Sequence, residues 1–295
     1  MRILLAIVHH WNPEGSRRHA SLRPDPEPRR RALQDQLLSL ARLGTNQGQL
    51  HIAGRRVEDA NESLRHQFTI KLITDGQHHV IDRLDAPYRE LFEEVATTPA
   101  SPMHLGFEAQ RVLAEHLDEK YDLYGYLEDD LLISDPFFFH KIFWFQLSTG
   151  TERLLLPHRV ELFWDPDRVN KLYIDGPMDE AELQQLIPEP AEAIAASLPG
   201  GPIEFCSPGN PHAGCFFLSH RQLSHWSEQP WFLDGDVSFV SPLESAATLG
   251  ISKTFRLYKP RMSQAAFLEL QHWGTSFRSL IGKEIRPPEP AATNG

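Results

Sequence analysis

The chain has 295 residues, 41% hydrophobic and 23% charged, which fits an ordinary soluble globular protein large enough for a sizeable core. Its formal net charge of −11 argues against general nucleic-acid binding, which needs a basic footprint, yet permits a nucleotide whose phosphates a metal neutralises. Two cysteines, Cys206 and Cys215, exclude a disulfide framework and a cysteine-only zinc site, and read as reduced thiols of a cytoplasmic protein rather than a bridge.

Residues 2–8 are a continuous aliphatic run and predict a first strand covered on both faces. The run is too short for a signal sequence or a membrane span, which leaves peripheral membrane contact open. Residues 12–30 read as a polar loop, with Pro13, Pro24, Pro26 and Pro28 among Arg17, Arg18, Arg23, Arg29 and Arg30. A solvated basic loop is the simpler account; a lid over phosphates is the sharper one. Leu33, Leu37, Leu40 and Ala41 then recur at helical spacing up to Gly44, and residues 45–66 are irregular.

Phe68–Ile73 predicts a second strand that ends on Thr74-Asp75-Gly76. A helix follows over Leu105–Leu117, and then a strand that runs through Tyr124-Gly125-Tyr126-Leu127 into Glu128-Asp129-Asp130. Asp135-Pro136 supplies an N-cap and a first-turn proline for a helix through about Leu147. In the second half, Leu154–Trp164 reads as a strand holding a proline, and Asp179–Leu186 as a short helix within a Pro- and Gly-rich stretch, 176–212. Ala213–Ser219 is a buried strand, Pro242–Leu249 a helix, Thr254–Tyr258 a strand, and Pro287–Gly295 a polar, disordered tail. No repeat or long linker divides the chain. The expected organisation is one domain over 1–286, with a nucleotide-binding half (1–150) and an acceptor half (151–286).

The β-α-β-α-β order predicts an α/β fold with a largely parallel sheet, whose ligands bind at the carboxyl ends of the strands. His9, His10 and Trp11, Thr74 and Asp75, and Glu128 to Asp130 all fall at such ends. Forty acids in the chain make an acidic triple unsurprising by chance, and a solvated acidic turn is the bland account of Glu128-Asp129-Asp130. Its apolar, aromatic flanks argue otherwise. Carboxylates carried inward need a cation, and a divalent metal there would hold phosphate oxygens. No Gly-x-x-x-x-Gly-Lys-Ser/Thr and no Gly-rich loop with a following lysine occurs after the first strand, which counts against a P-loop NTPase and against a nucleotidyltransferase.

With Tyr126-Leu127-Glu128-Asp129-Asp130-Leu131-Leu132-Ile133, the strand Ala213-Gly214-Cys215-Phe216-Phe217-Leu218-Ser219 and the late Leu270-Gln271-His272-Trp273-Gly274, the chain resembles metal-dependent nucleotide-sugar glycosyltransferases of the GT-A fold, from residue 2 to about 280. In that family an Asp-x-Asp-type motif ends a central strand and binds a divalent cation that bridges the donor diphosphate. The resemblance implies Asp130 and His272 as ligands of Mn²⁺ or Mg²⁺, with Glu128 bound directly or through water. It makes a nucleoside-diphosphate sugar the donor and a saccharide or other hydroxyl the acceptor. Asp129, His9, His10, Asp75 and Arg111 are candidate contacts to the donor's sugar, base, ribose and phosphates. Transfer with inversion needs a carboxylate base near the acceptor, for which Asp236 is the first candidate and Glu244 the second. A nucleotidyltransferase and a non-catalytic carbohydrate-binding protein on the same fold are the alternatives.

Overall fold

The computed structural model describes residues 1–15, 20–164, 169–198 and 200–286. In chain order it runs β1 (Arg2–Val8), α1 (Glu27–Gly44), a hairpin of β2 (Gly48–His51) and β3 (Arg56–Asp59), β4 (Gln67–Thr74), α2 (Ala86–Arg89), β5 (Glu93–Ala96), α3 (Leu105–Glu115), β6 (Leu123–Glu128) and β7 (Leu131–Leu132). It continues through α4 (Phe138–Thr149), β8 (Arg153–Leu155), β9 (His158–Trp164), β10 (Val169–Tyr173), α5 (Glu180–Leu186), β11 (Ile194–Leu198), β12 (Gly201–Cys206), β13 (Cys215–Leu218), α6 (His220–Ser227), α7 (Pro242–Thr254), β14 (Arg256–Pro260) and β15 (Glu269–His272). The result is the expected mixed α/β fold, with a parallel-rich central sheet flanked by helices. The basic-loop residues Arg17 and Arg18 and the tail from Pro287 lie outside the described residues.

The central sheet has the order β13-β6-β1-β4-β5. Strands β6, β1, β4 and β5 are parallel, and β13 lies antiparallel on β6. Ile3 to Val8 of β1 are fully buried, which is why the run carries no polar alternation. Adjacent residues of a strand point to opposite faces, and Phe216 and Phe217 of β13 show what covers each. Phe216 stacks on Tyr126 and meets Trp226 of α6, while Phe217 meets Phe138 and Phe139 of α4. Because β13 supplies the fifth strand, the central sheet is not confined to the first 150 residues. From β1 the chain builds outward to β4 and β5, then crosses back to place β6 on the other side of β1. The carboxyl ends of β1 and β6 therefore flank a topological switch point, where open α/β sheets bind their ligands.

Strand β7 leaves this sheet for a second one, ordered β10-β9-β15-β7. There His272 pairs opposite Leu131, and the Trp273 amide donates to the Asp130 carbonyl at 2.8 Å. A late segment is thus stitched to the end of the acidic turn.

Several local expectations need correction. Helix α1 starts at Glu27, inside the predicted loop; Pro28 fits its first turn, where amides lack intrahelical partners anyway. Asp135 does not cap a helix: it accepts from the Phe137 amide at 2.8 Å in a turn, and α4 begins at Phe138. Pro157 splits the predicted strand 154–164 into β8 and β9, which join different sheets. Residues 45–66 contain the β2–β3 hairpin. Helix α7 extends to Thr254, so the following strand starts at Arg256. Cys206 and Cys215 are free thiols. Among the described residues no helix is long and apolar enough to cross a membrane.

One core residue makes the fold acid-sensitive. His66 is 1% exposed among Phe68, Phe139 and His140, and neither ring nitrogen has a hydrogen-bond partner. Burial, helped by His140, pushes its pKa down to about 4. An unfolded chain protonates this ring near its ordinary value, so stability is lost as the pH falls from about 6.5 towards 4. His66→Phe is expected to remove roughly 1–2 kcal/mol of the stability loss between pH 7.5 and 5. Urea denaturation midpoints of both proteins at the two pH values check it; equal losses in both would remove His66 as the cause.

Candidate functional site

The acidic turn after β6 is held from below by α1. Gln36 donates its side-chain amide to the carbonyls of Glu128 (2.6 Å) and Leu131 (2.9 Å), fixing the backbone on both sides of Asp129 and Asp130. Arg29, one helical stripe earlier, reaches both aspartates: it bonds Asp129 Oδ1 and lies 3.3 Å from Asp130 Oδ2. The second Asp129 oxygen is bonded to His9 Nδ1. His9 Nε2 accepts from the Val80 amide at 3.0 Å, so the ring proton sits on Nδ1 and is donated to Asp129. Burial opposes ionisation of Asp129, but Arg29 and His9 outweigh it and hold its carboxyl below the usual range.

This knot changes two expectations. Asp129 has both oxygens engaged, and His9 is fully buried with both ring nitrogens used. Neither is placed to touch a donor; together they anchor the turn. The first cation to meet the acidic triple is therefore Arg29.

Glu128 and one oxygen of Asp130 are left outside this knot. Glu128 Oε1 and Asp130 Oδ1 are buried without a hydrogen-bond partner. Gly214 packs against Glu128: its φ of +64 suits glycine, and a Cβ there would approach Glu128 Oε2 to 3.0 Å. His272 Nε2 stands 3.8 Å from Asp130 Oδ2, and its Nδ1 stands 3.4 Å from Glu161 Oε1. The backbone amides of Phe277 and Arg278 fix that glutamate at 3.0 and 2.7 Å. Against burial, Asp130 and Glu161 raise the His272 pKa. On the other flank, His212 Nε2 is buried without a hydrogen-bond partner, 3.9 Å from Glu128 Oε1 and 4.0 Å from Glu244 Oε1.

Behind these groups lies a buried ion cluster. Arg159 Nε donates to Asp175 Oδ1 at 2.9 Å, and Lys259 Nζ donates to Asp175 Oδ2 at 3.2 Å and to the His212 carbonyl at 2.8 Å. Around the turn, Glu128, Asp129, Asp130, Glu161, Asp175 and Glu244 outnumber Arg29, Arg159 and Lys259. Burial, reinforced by Asp130 and Glu244 and opposed by Arg159 and His272, pushes the Glu128 pKa up to about 8. Burial and the neighbouring acids thus resist a charged Glu128.

Of the sequence candidates, Glu128, Asp130, His272 and Glu244 gather around this space. Arg111 does not: its guanidinium is held by Glu108 and Glu115 on its own helix. Asp236 does not either. Its carboxylate caps the Ser238 amide at 3.0 Å and pairs with Lys253 at 3.3 Å, and these bonds lower its pKa. Sequence reasoning missed Arg29, Arg159, Glu161 and His212. Only Arg29 had a readable signal: the stripe Arg29, Ala32, Leu33, Gln36, Leu37, Leu40 is the buried face of α1, extended one turn back.

His10 and Asp75 meet beside this turn, at the adjoining ends of β1 and β4. His10 Nδ1 lies 3.7 Å and His78 Nδ1 2.7 Å from Asp75 Oδ2. Among the described residues, His10, Asp75 and His78 are the group that offers three ligand atoms within 4.8 Å of one another. The ligand atoms of Glu128, Asp130 and His272 stand farther apart than that.

No protein-family model matches the chain, and no curated protein matches it. Among solved structures it is similar to the crystal structure of mannose-1-phosphate geranyltransferase from Thermus thermophilus, at 13% identity and a TM-score of 0.41, over 88% of this chain and 73% of that one.

Proposed function

We propose that the chain is a cytoplasmic, GT-A-like glycosyltransferase that moves a sugar from a nucleoside-diphosphate donor to an acceptor hydroxyl. One observation carries the reading. At the switch point of a parallel sheet, a buried turn presents Glu128 and Asp130 with unpartnered oxygens, beside His272 and in front of Arg159. Unpartnered carboxylate oxygens and one imidazole suit Mn²⁺ or Mg²⁺, with phosphate and water oxygens completing the shell. Asp130 and His272 would hold the cation, with Glu128 bound directly or through water, and it would supply Lewis-acid stabilisation of the departing diphosphate.

The chain's own residues do the rest. Arg29 and Gln36 hold the turn, so Asp130 keeps its orientation without a donor. Glu161, 3.4 Å from His272 Nδ1, favours a protonated Nδ1 and leaves Nε2 towards Asp130. Glu244, in the first turn of α7 and 4.0 Å from His212, would take the proton of an acceptor hydroxyl. It replaces Asp236 as the preferred base.

The test is thermal unfolding of the full chain with UDP or GDP, with and without Mn²⁺. A metal-dependent rise in Tm is expected, worth about 2.7 kcal/mol at a hundredfold excess over Kd. No shift with either nucleotide under any metal condition would overturn the enzyme reading and leave a binding protein. Product analysis then separates the chemistries: free nucleoside diphosphate supports glycosyl transfer, whereas pyrophosphate would assign nucleotidyl transfer.

A further inference from the structure

The geometry points to a second, separate metal site: His10, Asp75 and His78 bind one zinc-type divalent cation at the joined ends of β1 and β4. Two imidazoles and one carboxylate form a borderline donor set, suited to Zn²⁺ or Co²⁺ more than to Mg²⁺. Three protein ligands leave a fourth tetrahedral position for water or a ligand oxygen. Half-buried His78 (36% side-chain exposure) opens that side to solvent.

The site is built from two loops that are already laced together. The Trp11 amide donates to the His78 carbonyl at 2.8 Å, which fixes His10 beside the 74–78 turn. Gly76 turns that loop at a φ of +73, where side-chain-bearing residues are strained. Asp75 Oδ1 accepts from the amides of Gln77 (3.0 Å) and His78 (2.7 Å), which orients the carboxylate and leaves Oδ2 for the imidazoles. His10 Nδ1 is buried and has no hydrogen-bond partner, 3.7 Å from Asp75 Oδ2. A cation would take the place of the single proton now shared between His78 Nδ1 and Asp75 Oδ2.

This site shares no residue with the proposed donor site, so its test needs no nucleotide. The full chain, stripped with a chelator, is titrated with Co²⁺ and then with Zn²⁺, and the visible ligand-field absorption is followed. The expected result is a low-symmetry visible band that Zn²⁺ displaces and that saturates at one Co²⁺ per chain, counted in Asp130→Asn so that the proposed donor-site cation adds none. His10→Ala and His78→Ala should each weaken binding about 100-fold or more, while Asp130→Asn leaves it unchanged. Because His78 is partly exposed, His78→Gln provides a variant that keeps the fold, checked by near-UV circular dichroism. No Co²⁺ band in the parent protein, a band that survives His78→Gln, or a band lost in Asp130→Asn would each overturn the site and return Asp75–His78 to an ordinary turn hydrogen bond.

Discussion

Replacing Arg29 by methionine is expected to lower the unfolding free energy by about 3–5 kcal/mol, the cost of leaving a buried charge without its partner. Arg29 is the only guanidinium bonded to Asp129 among the described residues, and it also lies 3.3 Å from Asp130. Remove it, and two buried carboxylates face each other and Glu128 with only His9 to donate. The protein must then protonate an aspartate or open the turn, and Gln36 alone cannot hold it. Urea denaturation at neutral pH measures the loss. The double variant Arg29→Met/Asp129→Leu separates the ion pair from simple packing: it should recover most of the loss, because the unpaired charge goes with the carboxylate. A single-variant loss below about 1 kcal/mol would mean that the turn is held by Gln36 and the strands, not by this pair.

The same residue shows where the sequence was readable. Strands β1 and β6 announced themselves because both faces are buried and nearly all their residues are apolar, and β4 through its mostly β-branched and apolar run Phe68–Ile73. Their shared carboxyl ends followed from chain order and the handedness of crossovers. Arg29 was hidden for a local reason: Pro24, Pro26 and Pro28 suggest a loop, although prolines are equally at home in a helix's first turn. His272 could be placed near Asp130 only through a family resemblance. The pairing that delivers it, β15 on β7, involves two residues per strand and a separation of about 140 positions, which no local pattern encodes. Arg159 and Glu161 lie on β9 of the second sheet, whereas His212 precedes β13 and is held by Thr248 and Lys259, so their convergence comes from contacts far apart in sequence. Asp236 is paired with a neighbour in space, Lys253, which no local pattern announces.

The acidic knot and the unpartnered carboxylate oxygens of Glu128 and Asp130 divide one turn between two tasks. Asp129 is stabilised as an anion by Arg29 and His9 and fixes the backbone. Glu128 carries a raised pKa because it is buried, with Asp130 and Glu244 adding to the effect and Arg159 and His272 opposing it. The contrast explains how adjacent residues with the same charge can serve opposite ends. Paired charge gives rigidity; under-compensated charge gives affinity for a cation.

On the proposed function, Glu244→Gln is expected to lower kcat by about 10²–10⁴-fold, the usual contribution of a general base, with donor affinity unchanged. Asp130→Asn is expected instead to abolish metal-dependent nucleotide binding. The two variants separate because the groups face different parts of the site. Asp130 lies on the β6 turn beside His272, while Glu244 sits in the first turn of α7, across Glu128 and His212. Glutamine keeps the shape of Glu244 and its helix position, so loss of folding is not an adequate explanation for lost turnover. Asp236→Ala serves as the control: tied to Lys253, it should change kcat by less than about twofold. Steady-state kinetics with donor binding measured independently decides the matter. If Glu244→Gln turns over at the parent rate, no carboxylate base acts there, and the stereochemistry of the product should show retention. If Asp130→Asn still binds nucleotide in a metal-dependent way, the cation is held elsewhere, and His272 and Glu128 lose their assigned roles with it.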